Sequence, residues 1–149
     1  MNNLPEKREN RIGTYISTLV LGGVALWVMN KLPSWNIPYL LDSYQNALPA
    51  INLSLYVQIA MNLVLLFYHP RFFHHLSQVV TAGFSIFAIS TILRIFPLDF
   101  SSIVLPTGVP SINLMARIAL GVAIGGAAIG ALVHAVKFLA HIFRGEVED

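Results

Sequence analysis

Four long apolar runs, each about as long as a bilayer core is thick and nearly free of charge, constrain this chain more than any other feature of its sequence. A hydrocarbon core of about 30 Å needs roughly 20 residues of helix at 1.5 Å per residue. The first run is Ile12 to Met29, the second about Ala50 to Tyr68, the third about Leu76 to Phe96, and the fourth Ile112 to about His134. Charged residues are only 11% of the chain, against roughly 25% in a soluble domain. So few charges cannot cover the large relative surface of a small soluble protein. The sequence therefore predicts an all-α fold: residues 1–149 as a single polytopic domain, a four-transmembrane-helix bundle whose main partner is the lipid bilayer.

The N-terminus has the outline of a signal peptide, a basic stretch followed by an apolar run. The run is too long for a usual signal core, however, and ends in Asn30-Lys31-Leu32-Pro33 without a small-x-small cleavage pattern. It reads as an uncleaved first span. Ser111 is the expected N-cap of the fourth span, with Pro110 just outside it. Residues 135–144 mix His, Lys and Arg with apolar residues and read as an interfacial extension of that helix, and 145–149 as an acidic tail. Lys7, Arg8, Arg11, Arg71, Lys137 and Arg144 fall on one side of the bundle, and Lys31, Arg94 and Arg117 on the other. The positive-inside rule then puts both termini in the cytoplasm of a cell whose plasma membrane holds the protein. Of the two outer connections, the first carries Asp42-Ser43, which can cap a short helix or an early start of the second span, bent near Pro49.

The densest local signal is the small-residue stretch of the fourth span. Gly121 and Gly125, and Gly126 and Gly130, are spaced to flatten a helix face and let another backbone approach closely. Packing inside the chain's own bundle, against Gly22 and Gly23 of the first span, is one use of that face. A homo-oligomer or a larger membrane complex is the other. Polar residues inside spans come next. Ser54, Gln58 and Asn62 form one stripe on the second span, with Thr14 and Thr18 on the first and Gln78, Thr81 and Ser85 on the third. They can act as interhelical hydrogen-bond glue or line a path for a small solute. No carboxylate stands in mid-membrane, so a cation-coupled carrier lacks its usual ligand.

Charges gather at the outer end, where Asp42, Arg94, Asp99 and Arg117 are expected to form ion pairs that staple the loops to the bundle. All five histidines lie toward the other end: His69, His74, His75, His134 and His141. Their spacing matches no zinc pattern and no thiolate or carboxylate joins them, so no metal and no cofactor is expected; a His-based haem or metal site is the alternative. Asp and His occupy opposite ends of the bundle, so no catalytic triad or carboxylate pair can converge, and the chain reads as not an enzyme. The net charge of +2 is small and Lys and Arg make no stripe with aromatics, which excludes nucleic acid as an expected partner. With no cysteine there are no disulfides and no thiolate sites.

The segment Trp35-Asn-Ile-Pro-Tyr-Leu-Leu-Asp-Ser-Tyr44, then Leu48-Pro49, Phe67-Tyr68-His69-Pro70-Arg71-Phe72-Phe73 and Phe96-Pro-Leu-Asp-Phe100, resembles small bacterial four-span membrane proteins of no assigned activity. That resemblance implies no chemistry and carries over no functional residue. From the residues themselves the leading expectation is a non-enzymatic accessory or assembly protein. An oligomeric small-solute channel or transporter is the alternative, and a haem- or metal-binding membrane subunit a second one.

Overall fold

The computed structural model describes residues 4–67, 71–101, 103 and 111–143; the side chains at 4–11, 71, 72, 141 and 142 lie outside that description. Four α-helices follow in order: α1 (Leu4–Lys31), α2 (Tyr44–Phe67), α3 (Arg71–Ile95) and α4 (Ile112–Phe143), with a short 3₁₀ turn, Leu32–Trp35, after α1. Among the described residues the only extended pairing is a single antiparallel bridge between Leu40 and Leu98. All four helices are long and apolar enough to cross a membrane. Many of their large apolar side chains, including Leu21, Trp27, Val122 and Ile129, face outward, as they do in a bundle whose solvent is lipid.

Each helix runs antiparallel to the one before it and packs mainly against its neighbours in sequence, so α1 meets α2, α2 meets α3, and α3 meets α4. The start of α1 and the end of α4 therefore share one end of the bundle, called here the histidine end. The opposite end carries the two long connections and is called the loop end. A dry core of Tyr44, Ala47 and Ile51 sits near the loop end, packed by Met29, Leu32, Leu40, Ile92 and Ile95. Tyr44 is buried because its hydroxyl has a partner there: it donates to the Met29 carbonyl at 3.1 Å. That carbonyl belongs to the last turn of α1, where helix geometry leaves acceptors unpaired.

The first three helices each begin before the expected span, α1 at Leu4, α3 at Arg71 and α2 at Tyr44, with Pro49 inside α2. Of the two expectations for Asp42-Ser43, the early helix start is the one observed. Backbone turns bring the chain in, with Tyr44 N donating to Leu41 O and Asn46 N to Ser43 O. At α4 the expected cap is present: Leu114 N donates to Ser111 Oγ at 3.3 Å. The helix then continues unbroken from Ile112 to Phe143, including the stretch expected to lie at the interface.

The loop end is held by backbone and rings, and here one expectation is corrected. Leu41 N donates to Pro97 O, and Asp99 N to Tyr39 O, both at 2.9 Å. The Tyr39 and Phe100 rings pack 5.5 Å apart over this bridge. Among the described residues no ion pair joins Asp42, Arg94, Asp99 and Arg117. The Asp99 carboxylate instead accepts from Ser101 N at 2.9 Å and Asn113 Nδ2 at 3.4 Å. These hydrogen bonds, led by the backbone one from Ser101, hold its pKa below the ordinary carboxylate value. Arg117 lies over the Phe96 ring, 4.3 Å from its centroid, so a ring face takes the place of a carboxylate. Arg94 is exposed in the last turn of α3, and Asp42 lines a cavity of about 330 Å³ under the connection between α1 and α2.

Phe96 adopts φ +41°, a left-handed conformation that costs a non-glycine residue about 1–2 kcal/mol. Its ring is buried beneath Arg117, and burying an aromatic ring offsets a strain of that size.

Candidate functional site

At the histidine end α1, α2 and α3 separate around a cavity of about 440 Å³, lined by Thr14, Tyr15, Thr18, Gln58, Asn62, His74, Ser77, Gln78 and Thr81. Helical periodicity accounts for the set. Thr14 and Thr18, Gln58 and Asn62, and His74, Gln78 and Thr81 recur at three- or four-residue intervals, which puts each group on one face of its helix. Antiparallel packing then brings the start of α1 and of α3 beside the end of α2. The same three helices thus bury an apolar core at one end and line a polar cavity at the other.

Several lining groups are satisfied within their own helix. Thr18 Oγ1 donates to Thr14 O at 2.8 Å, Asn62 Nδ2 to Gln58 O at 2.7 Å, and Ser77 Oγ to His74 O at 3.3 Å. This back-bonding lets hydroxyl and amide groups sit in an apolar bundle at low cost. The glutamines differ. Among the described residues neither the Gln58 nor the Gln78 side chain bonds to protein, and neither buries an unsatisfied polar atom, since both face the cavity. An amide without a partner in apolar surroundings costs about 1–3 kcal/mol. The lining offers hydroxyl, amide and imidazole groups, so it presents donors and acceptors without a fixed charge.

Among the described residues the Ser54, Gln58 and Asn62 side chains, expected as interhelical glue or as the lining of a solute path, make no hydrogen bond to another helix. Ser54 is buried in the packing of α2, while Gln58 and Asn62 line open space. A polar contact between helices lies elsewhere, between Asn30 and Asn52, which exchange hydrogen bonds of 2.8 and 3.0 Å.

The histidines are brought together in part. Tyr15 Oη and His74 Nδ1 are 3.5 Å apart across α1 and α3, at the wall of the cavity. His75 and His134 meet across α3 and α4 with their Nδ1 atoms 3.3 Å apart. The rings of His74 and His75 are 5.7 Å apart and those of His75 and His134 5.6 Å. His69 and the side chain of His141 lie outside the described residues. Among those described, no three or more His, Asp or Glu side chains are arranged to hold a metal ion.

The glycines divide sharply. Gly22 is buried, and a Cβ there would meet Ile59 Cγ1 at 3.0 Å, so any side chain at this position makes Ile59 give way where α1 crosses α2. Gly23, Gly121, Gly125, Gly126 and Gly130 would place a Cβ in open space. Packing of the α4 glycines against Gly22 and Gly23 is not observed, because Gly22 is taken up by Ile59 and α4 packs mainly on α3. None of the most apolar stretch of α4 is buried.

Tyr15 and Ser77 are cavity residues that sequence reasoning passed over. Each is a neighbour, one residue away, of a polar span residue that drew attention, Thr14 and Gln78. Compared with known protein families, characterised proteins and solved structures, the chain matches none.

Proposed function

We propose that this is a non-enzymatic, multi-pass protein of the plasma membrane that holds a small uncharged polar solute in the cavity between α1, α2 and α3, as a subunit of a channel or carrier. The observation that carries this reading is the pair of amides, Gln58 and Gln78, that line the cavity without a partner among the described residues. Its volume of about 440 Å³ lies within the range of about 300–1,000 Å³ common for ligand pockets. A lining free of Asp, Glu, Lys and Arg favours a neutral hydrogen-bonding solute such as a polyol or a small amide over an ion. The excess of Lys and Arg beside the histidine end supports a cytoplasmic setting for that end and for both termini.

The test is solute flux into vesicles reconstituted with the full chain, with glycerol and urea as probes. Flux above that of empty vesicles, lost in Gln58→Leu and Gln78→Leu while the particle mass in mild detergent is unchanged, is the expected result. Flux no greater than in empty vesicles for both probes overturns the reading.

A second reading, an accessory or assembly protein, is favoured by the bare glycine faces of α4. In lipid, close backbone approach over small residues gives packing that acyl chains do not match. A particle mass equal to a multiple of the 16.4 kDa chain supports self-assembly, and a remainder identifies a second component. The two readings are compatible, since four helices alone enclose little lumen.

A further inference from the structure

We infer that the cavity is a headgroup site open sideways to the bilayer, and that its ligand is an uncharged amphiphile with a polyol head, a monoacylglycerol, drawn from the leaflet at the histidine end. The inference deepens the solute-binding reading and rests on it, naming the chemical class of the ligand and the side from which it enters.

The cavity occupies the depth of one leaflet. At 1.5 Å per residue, Thr14 and Thr18 stand about 3 and 9 Å inside the apolar run that begins at Ile12. Asn62 and Gln58 stand about 8 and 14 Å inside the run that ends at Phe67, and Gln78 and Thr81 about 8 and 12 Å inside the one that begins at Phe73. Half of a hydrocarbon core is about 15 Å, so these lining residues all lie on one side of the midplane. Helix tilt only shortens such depths. Farther in, α1 and α2 close on each other where Gly22 meets Ile59, and the dry core of Tyr44, Ala47 and Ile51 follows. The cavity is a cup, closed toward the loop end.

Packing identifies its open side. α2 packs along both α1 and α3, whereas α1 and α3 do not pack along each other. α4 leans on α3, does not pack along α1, and contributes no described residue to the lining. The space thus has α2 as its floor and α1 and α3 as its walls, and the side opposite α2 faces the surroundings of the bundle. In a membrane those surroundings are lipid. Tyr15 and His74 approach to 3.5 Å across the two walls near the headgroup level, so entry from the bilayer lies deeper, between Thr18 and Thr81. Leu21 follows Thr14 on the same helical face and is exposed. Polar lining therefore gives way to apolar surface toward the midplane, the order in which an amphiphile carries its head and its chain.

The lining selects the head. Gln58 and Gln78 have no partner among the described residues, and each amide offers two donors and an acceptor. The adjacent hydroxyls of a glycerol head both donate and accept, so they match these amides without bringing a charge. A phosphate or ammonium head would meet no carboxylate, lysine or arginine in the described lining and would lose hydration on entry. The bilayer also delivers an amphiphile already concentrated and oriented. That removes much of the translational and rotational cost that a free polyol bears on binding. Its acyl chain stays in lipid beside Leu21 and needs no pocket of its own.

The experiment is photolabelling of the full chain in phosphatidylcholine vesicles that contain a monoacylglycerol with a diazirine in its acyl chain. Labelled residues are mapped by mass spectrometry, and glycerol flux is measured in parallel. The expected result is saturable labelling concentrated on residues 18–25 of α1 and 81–88 of α3, displaced by unlabelled monoacylglycerol. Gln58→Leu and Gln78→Leu each lower it by about threefold or more, the effect of one hydrogen bond lost in a membrane, with the particle mass in mild detergent unchanged. Labelling spread over all four helices, α4 included, overturns the inference without recourse to any variant. So does equal labelling by phosphatidylcholine that carries the same diazirine chain. Glycerol flux with no focused labelling also overturns it, and leaves a solute that enters from water. Focused labelling with no glycerol flux supports the lipid site and overturns the channel or carrier reading alone.

Discussion

Asn30 and Asn52 face each other across α1 and α2 and exchange two hydrogen bonds, each amide donating through Nδ2 to the other's Oδ1. Asn30 also donates to the Leu26 carbonyl one turn back at 2.8 Å, which fixes its side chain in place before the partner arrives. The pair pins the loop-end half of the α1–α2 contact, and Gly22 against Ile59 pins its middle. Replacing either asparagine with leucine strands the other amide. Interhelical hydrogen bonds in membranes contribute about 0.6 kcal/mol on average and up to about 1.7, so each single change should cost about 1 kcal/mol. A double-mutant cycle with Asn30→Ala and Asn52→Ala, read by unfolding in mixed micelles, should return a coupling energy of that order. Additive effects would show that the pair is incidental to packing.

Gly22 gives a steric prediction. Because a Cβ there already meets Ile59 Cγ1 at 3.0 Å, Gly22→Leu must push α1 away from α2, at a cost of about 1–3 kcal/mol for overpacking. Shortening the neighbour should restore stability, so Gly22→Leu combined with Ile59→Ala is expected to be more stable than Gly22→Leu alone. The same unfolding assay checks it, and a double variant worse than the single one contradicts the geometry.

The α4 glycines should behave in the opposite way. Gly121→Ala, Gly125→Ala, Gly126→Ala and Gly130→Ala meet nothing inside the chain and each removes about 0.5–1 kcal/mol of helix-destabilising freedom. The stability of the isolated chain is expected to hold or rise. Bulkier changes at Gly125 and Gly126, to leucine, should lower the particle mass in mild detergent if α4 is the assembly face, and leave it unchanged if lipid covers that face.

At the loop end the Asp99 carboxylate carries a pH dependence whose sign is fixed by the direction of its shift. Its folded pKa lies below the unfolded value, chiefly through the hydrogen bond from Ser101 N. The stabilisation it gives is therefore fully present above the unfolded pKa, near 3.9, and is lost as pH falls through the lower folded value. Amide signals of Ser101 and the Asn113 side chain should shift together only under acid conditions below pH 4, and Asp99→Asn should abolish that transition. Movement of these signals near neutrality would point to a different group.

Arg117 and Phe96 supply the last prediction. A guanidinium over a ring contributes about 0.5–2 kcal/mol depending on desolvation, so Phe96→Leu and Arg117→Met should each destabilise the loop end and should couple in a double-mutant cycle. Arg117→Lys should retain part of the interaction, because a point charge still meets the ring face but the planar stacking is gone.

The four helices were legible because the signal for a span is one-dimensional: the length of an uncharged run. The Ser111 cap was legible for the same reason, since its partner amide lies one turn ahead in the chain. What failed to transfer were pairings set by the relative rotation of helices. Arg117 and Asp99 stand at the same level, and charge alone suggested that they meet. Rotation of α4 turned the guanidinium to Phe96 and left Asp99 to its own loop and Asn113. The glycines of α4 were expected against Gly22 and Gly23 or against another chain, and a Cβ at any of the four meets nothing within 4 Å. The cavity lay between these cases. Periodicity picked out Gln58, Asn62, Gln78 and Thr81 on their separate helices, but only the crossing of α1, α2 and α3 decides whether such groups grip each other or surround a space.

The bridge between Leu40 and Leu98 has a consequence for biogenesis. A chain delivered to the membrane span by span presents residues 39–41 long before residues 97–99 reach the same side. During that interval Leu41 N and Tyr39 O have no protein partner, and the early helical hairpin of α1 and α2 stands with its clasp open. Closure waits for α3, which makes the third span the step that commits the first two. A nascent chain stalled after α2 should accordingly remain accessible to membrane chaperones at that end, and one released after α3 should not.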